Sequence, residues 1–183
     1  MKFAIKEKTK IFEGKYLNVW QTEFLDKKGA THYWEWIERR DASIVFPITK
    51  AQNVVLIKNY RVPVERYVIE LPAGLIDKEG ENEEKTARRE LLEETGYLAK
   101  NFIPLRMRPF NAGHHRNMSF GFIATDLEKK NHSIIGEDTE DIEVIEVPID
   151  GLLNFYLSLP DDILFNLDIL GVAAVVKHRG IKG

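Results

Sequence analysis

Hydrophobic and polar positions fall into three textures along the chain. Up to about residue 40, KFAIKEKTKIF, KYLNVWQTEFLD and THYWEWIERR are rich in β-branched and aromatic residues and are separated by the turn signals EGK and KKGA. They predict a three-stranded antiparallel sheet, which alone has little core. From Ala42 the runs SIVFPIT and NVVLIKNYR are almost continuously apolar, as strands buried on both faces are. YVIELPAG predicts a further strand ending in a Pro/Gly loop. A helix over residues 83–95 follows, with acidic residues in its first turn and Gly96 as its stop. FIPLRMRPF and MSFGFIATDL predict two strands around the polar loop NAGHHRN, and the charged loop EKKNHSIIGEDTED precedes the strand IEVIEVP. IDGLLNFYLSLP and DDILFNLDILGVAAVVKHRG read as two amphipathic helices. The pattern predicts an α/β domain over residues 41–183 with a β appendage over residues 1–40.

Composition narrows the partners more than the fold. With 26 basic against 29 acidic residues among 183, the net charge of −3 gives no global basic field to hold nucleic acid. An anionic ligand must then be held locally, by metal or a few arginines. The absence of cysteine excludes disulfides and thiolate zinc sites, which fits a reducing compartment. MKFAIKEK returns to Lys and Glu too soon for a signal-peptide apolar region, and no run reaches membrane-spanning length. A soluble cytoplasmic protein without membrane or nucleic-acid partners is expected.

Chemistry concentrates in the acidic helix. With about 100° per residue, Glu94 lies about 40° to one side of Glu90 and Glu93 about 60° to the other, while Ala87 and Leu91 take the adjacent flank. Two such carboxylates at about 5 Å repel by roughly 3 kcal/mol at an effective dielectric of about 20, and a divalent cation reverses the sign. Arg89, four residues before Glu93, is placed to pair with it. Hard oxygen ligands point to Mg²⁺, with Mn²⁺ as substitute. A solvated acidic face is the commoner use of such spacing, but a second acidic cluster, EDTED, stands just before another strand.

Glu81, seven residues, then Arg89-Glu90-Leu91-Leu92-Glu93-Glu94-Thr95-Gly96-Tyr97 resemble the box of the Nudix hydrolase family, G-x5-E-x7-R-E-U-x-E-E-x-G-U, where U is a bulky apolar residue. One residue is extra: Gly74 to Glu81 reads G-x6-E. IELPAG before the box, NYRVPVER upstream and the N-terminal β layer are similar to the ADP-ribose and nucleoside-diphosphate-sugar pyrophosphatases, a resemblance covering nearly the whole chain. It implies a Nudix α/β/α sandwich with a mixed sheet, and an N-terminal antiparallel sheet swapped between the subunits of a homodimer.

Carried over by motif position, the resemblance makes Glu90 and Glu94 the principal metal ligands and Glu93 a supporting one, with the backbone carbonyl of Ala73 also on a metal. Glu81 and Arg89 then orient the helix carboxylates. The loop GEDTEDIEV matches the place where these enzymes bring a further acid over the metals, which nominates Glu140 as ligand or general base and Asp138 as runner-up. Family members preferring ADP-ribose carry a Ser-Pro-Gly type tripeptide after the box; here the residues are Asn111-Ala112-Gly113. Ala112 in the proline position turns the expectation toward another nucleoside diphosphate sugar, such as a GDP- or ADP-hexose.

The implied reaction is hydrolysis of a nucleoside diphosphate sugar to a nucleoside monophosphate and a sugar 1-phosphate. Arg61 suits bidentate contact with phosphate or terminal sugar, with a surface salt bridge as the equal alternative. Trp34 and Trp36 alternate and so share a face of the third strand; Trp36 is the candidate for stacking a nucleobase, with Glu70 as a hydrogen-bonding partner. Arg40 is a candidate for substrate contact or, more in keeping with its place, for closing the junction between layers. His115, with His114 and Arg116, is a candidate for touching phosphate or sugar from the loop beside the site, although a solvated polar loop is the commoner use of such a triplet. Two other readings stay open: a pyrophosphatase for a dinucleoside polyphosphate or a dinucleotide cofactor, and a non-catalytic nucleotide-sugar sensor. The complete acidic box speaks against the sensor.

Overall fold

A computed structural model of the chain describes residues 3–130 and 141–183. It divides into two compact units, Met1–Ala42 with Met107–Ser119, and Ser43–Arg106 with Phe120–Gly183.

In the first unit β1 (Ala4–Glu13), β2 (Asn18–Leu25) and β3 (Thr31–Glu38) form one antiparallel sheet in that order. The turn between β2 and β3 is closed by Asp26, whose carboxylate accepts from the Lys28 and Ala30 amides at 2.7 and 2.9 Å, with Gly29 at φ 85°. Trp36 lies opposite Trp20 and Trp34 opposite Thr22, so both tryptophans share one face, as their alternation predicts. β1 is exposed along its whole length, Ile5, Ile11 and Phe12 included. The loop within Met107–Ser119 is strapped to β3: the Ile37 amide donates to His114 O at 2.7 Å and the Arg116 amide to Ile37 O at 3.1 Å.

The elements that follow are β4 (Ala42–Pro47), β5 (Asn53–Arg61), β6 (Arg66–Glu70), β7 (Ala73–Leu75), α1 (Glu83–Thr95), β8 (Tyr97–Pro104), β9 (Arg108–Pro109), β10 (Met118–Lys129), β11 (Ile142–Pro148), α2 (Leu152–Ser158), β12 (Ile163–Phe165) and α3 (Asp168–Arg179). They build two sheets, ordered β7-β4-β10-β8, with β9 paired to β10, and β11-β5-β6-β12. The second sheet is mixed, because β6 pairs β5 antiparallel and β12 parallel.

Strand alternation sorts the core of the second unit into two sides. Val54 and Leu56 of β5 join Phe46, Ile69 and Ile123 in a cluster completed by Leu152 of α2 and Ile169, Ala173 and Val176 of α3. Val55, between them, joins Val45, Phe122 and Ala124 under Ala87 and Leu91 of α1. The result is the α/β/α layering expected. Among the described residues no helix is long and apolar enough to cross a membrane.

Three stretches differ from the sequence reading. YVIELPAG is two strands in different sheets, because the Leu71-Pro72 step leaves β6 and Pro72 has no amide to continue a ladder. The strand expected at FIPLRMRPF starts earlier, at Tyr97 directly after the helix stop, with Tyr97 opposite Lys129 of β10. The last segment is not one helix: Ile163–Phe165 adds a parallel strand to β6, and Asn166 ends it, its amide donating to Ile69 O and its side chain accepting from Asp168 N.

Candidate active site

α1 forms where caps and burial agree. Asn82 caps the start, its side chain accepting from Lys85 N at 2.9 Å, and Gly96 ends the helix at φ 71° with its amide on Leu92 O. Ala87 and Leu91 are fully buried. That anchor turns the carboxylates toward the loop between β6 and the helix.

Arg89 organises them. Its Nε donates to Glu81 Oε1 at 3.0 Å, Nη2 to Glu81 Oε2 at 3.2 Å, and Nη1 to Glu90 Oε1 at 2.5 Å and Glu93 Oε2 at 2.8 Å. Thr86 Oγ1 adds a bond to Glu81 at 3.0 Å, and Lys78 stands 3.6 Å from Glu93. One guanidinium thus holds three carboxylates. Burial works against its charge, but the bonds to Glu81 and Glu93 outweigh that and raise its pKa above the ordinary value. The Arg89 bond holds the Glu81 carboxyl below its ordinary pKa, against a smaller burial effect. Glu90 goes the other way: burial pushes its carboxyl up, against the pull of Arg89.

Glu94 is 3% exposed, and its Oε2 accepts from the Ala73 amide at 2.9 Å. Ala73, whose carbonyl the resemblance places on a metal, also touches the helix through its N–H. A β-carbon on the next residue, Gly74, would overlap the Glu90 carboxylate, so a side chain here would push Glu90 out of its place beside Arg89.

Among the described residues, no three acidic or histidine side chains converge into a ready metal cage. The donor chemistry nevertheless fits a hard divalent cation: a half-buried carboxylate disfavoured as an anion, a second beside it, and both held by one cation that a metal could relieve. Glu140 and Asp138 lie outside the described residues.

Arg61 and Glu70 find each other instead of standing apart, with Nε on Oε2 at 2.7 Å. Arg40 is exposed. In the N-terminal unit, Trp36 stacks on Trp20 at 5.7 Å and donates to Thr22 Oγ1 at 2.8 Å, and Trp34 donates to Gly113 O at 2.7 Å. Arg116 lies 5.8 Å and Lys8 6.0 Å from the Trp36 ring. A cavity of about 380 Å³ opens on this face, lined by Phe24, Trp34, Trp36, Ala112 and His115 among others. The His114-His115-Arg116 triplet is built into the unit: His115 stacks on Phe110 at 5.4 Å. Sequence reasoning passed over two residues, Thr22 and Asn59. Asn59 carried a signal, as a polar residue at a core position of an otherwise apolar strand.

Residues 38–164 match the family described as the NUDIX domain, and the chain belongs to that family. The ADP-ribose pyrophosphatase of Bacillus subtilis (strain 168) is 30% identical over 159 residues, covering 85% of each chain. The ADP-sugar pyrophosphatase of Mus musculus is 31% identical over 185 residues, covering 93% of this chain and 79% of its own. A crystal structure of an ADP compounds hydrolase superposes with a TM-score of 0.79 at 24% identity, covering 98% of this chain and 97% of that one, which shows the shared fold.

Proposed function

We propose that the protein hydrolyses the diphosphate bond of a nucleoside diphosphate sugar, releasing a nucleoside monophosphate and a sugar 1-phosphate. The observation that carries this is the helix array in which Arg89 gathers Glu81, Glu90 and Glu93 while Glu94 is tied to the Ala73 amide. Two relatives named as pyrophosphatases of ADP-ribose and ADP-sugars support the substrate class. Bound Mg²⁺, held by Glu90, Glu94 and Glu93 with the Ala73 carbonyl and Glu140, would neutralise phosphate charge and lower the pKa of water.

The chain's own residues orient and exclude. Arg89 and Glu81 keep the carboxylates aimed, and burial of Glu90 keeps water from screening them. An acid at Glu140 or Asp138 takes the proton of the attacking water. Arg61, released from Glu70, binds a phosphate oxygen through its planar guanidinium. The aromatic face with Trp36 takes the nucleobase, with Glu70, Arg40 and His115 as further substrate contacts. A cysteine-free chain of this kind suits the cytoplasm.

The test is release of monophosphate by purified protein with Mg²⁺ from ADP-ribose, an ADP-hexose, GDP-mannose and UDP-sugars. Turnover of at least one is expected, and none at all would end the proposal. Ranking within the panel tests the Asn111-Ala112-Gly113 turn, whose Asn111 Oδ1 accepts from Gly113 N at 3.2 Å where proline would otherwise stiffen the chain.

A further inference from the structure

Asn59 sits at the end of the apolar run of β5 and is 1% exposed. Neither Nδ2 nor Oδ1 of its carboxamide has a hydrogen-bond partner among the described residues. A buried amide with all its bonding capacity unused is rare and costly to a fold, and calls for a reason. Leucine or valine here would simply continue the core.

Its neighbours are apolar except for one ion pair on the same face. Two-residue alternation places Asn59 on the side of β5 shared by Val55, Ile57 and Arg61, the side that Val55 packs beneath α1. Its cross-strand neighbours are Val68 of β6 and Ile142 of β11. Arg61 is opposite Arg66, and Glu70 is opposite Ile57. The Arg61–Glu70 ion pair, 2.7 Å long, therefore spans the Asn59–Val68 rung on the same face. The side chains of that pair are 39% and 21% exposed, so it forms a cover at the solvent edge. Among the described residues only Nε of the guanidinium is engaged, which leaves both Nη groups for another acceptor.

We propose that Asn59 is a specificity-determining residue whose carboxamide receives a hydroxyl of a sugar ring esterified to the diphosphate, once Arg61 swings from Glu70 to the phosphate. This rests on the nucleoside-diphosphate-sugar reading. A phosphate oxygen only accepts, and would leave Oδ1 unpaired; a hydroxyl both donates and accepts, and satisfies Nδ2 and Oδ1 together. The substrate class offers such hydroxyls on the nucleoside ribose and on the terminal sugar, in both cases next to a phosphate that Arg61 can hold. A site built to bond a hydroxyl rejects ligands that lack it far better than an apolar pocket rejects extra bulk.

The experiment compares wild type with Asn59→Leu, and with Asn59→Val should leucine not fit. Calorimetric titrations in EDTA, where no turnover occurs, use ADP-ribose and GDP-mannose against ADP and GDP. The expected result is a melting temperature equal to or above wild type, with affinity for at least one sugar nucleotide weakened about tenfold or more. Loss confined to the sugar nucleotides assigns the hydroxyl to the terminal sugar; equal loss for ADP or GDP assigns it to the nucleoside ribose. Unchanged affinity for all four ligands in a folded variant, or no wild-type binding of either sugar nucleotide, overturns the proposal. Wild-type binding without turnover in Mg²⁺ would instead remove the hydrolase reading and leave the Asn59 assignment standing.

Discussion

Glu90 and Glu94 stand one turn apart on α1, yet they are held differently, Glu90 by Arg89 and Glu94 by the Ala73 amide. Burial raises the Glu90 pKa, so its charged form is disfavoured in the fold. For an acid whose folded pKa is raised, ionisation costs stability at pH values above the folded pKa, and the cost vanishes below the unfolded value. Glu90→Gln is therefore expected to raise the metal-free melting temperature at neutral pH, to lose that advantage at strongly acid pH, and to abolish turnover. A pH series of thermal melts checks the first part. Glu94 already has a partner in the Ala73 amide, and Glu94→Gln keeps an acceptor there; its melting temperature should stay near wild type while kcat/KM falls by about 10²-fold or more. Glu81 has the reverse sign to Glu90. Its lowered pKa contributes stability that is present above the unfolded carboxylate pKa and is lost as pH falls through the folded one. Glu81→Gln should therefore destabilise the protein at neutral pH and converge with wild type in acid. The residue-level site was legible because the i,i+4 pairing of Arg89 with Glu93 follows from helix geometry alone. The Arg61–Glu70 bond was not, because it depends on which strands pair and in what register.

At the level of elements, α1 was readable to its ends because caps, first-turn acids and a buried stripe all agree there. Leu91 tests that anchor: Leu91→Ala should cost about 2–5 kcal/mol in denaturant unfolding and lower activity by loosening the carboxylates above it. The misread elements share a cause. A short apolar run such as Ile163–Phe165 is compatible with helix or strand, and the decision comes from a free edge on β6, to which the run adds in parallel. YVIELPAG looks continuous in sequence, and only the sheet layout shows that Leu71-Pro72 carries the chain from one sheet to the other.

For the whole molecule, nearly continuous apolar runs with amphipathic helices between and after them showed the layered α/β body, whereas the N-terminal unit was only partly legible. Its three strands could be read; the return of Met107–Ser119 to them could not, since nothing local in that loop names its partner. We expect the chain to be a dimer, with the exposed apolar residues of β1 in the interface. Sedimentation should show a mass of two chains, and Ile5→Lys with Phe12→Lys should shift it to one; a wild-type monomer at micromolar concentration would refute this. The segment from Gly74 to Glu81 leaves the sheet packed against Glu90 and comes back to bond Arg89, so its two ends are clasped by consecutive residues of one helix. Such a segment behaves as a closed ring, and enlarging a ring of this size by one member changes its closure entropy by only about 0.1 kcal/mol. The extra residue between Gly74 and Glu81 is thus a free variable of the architecture, a place where the chain can change length without disturbing the clasp.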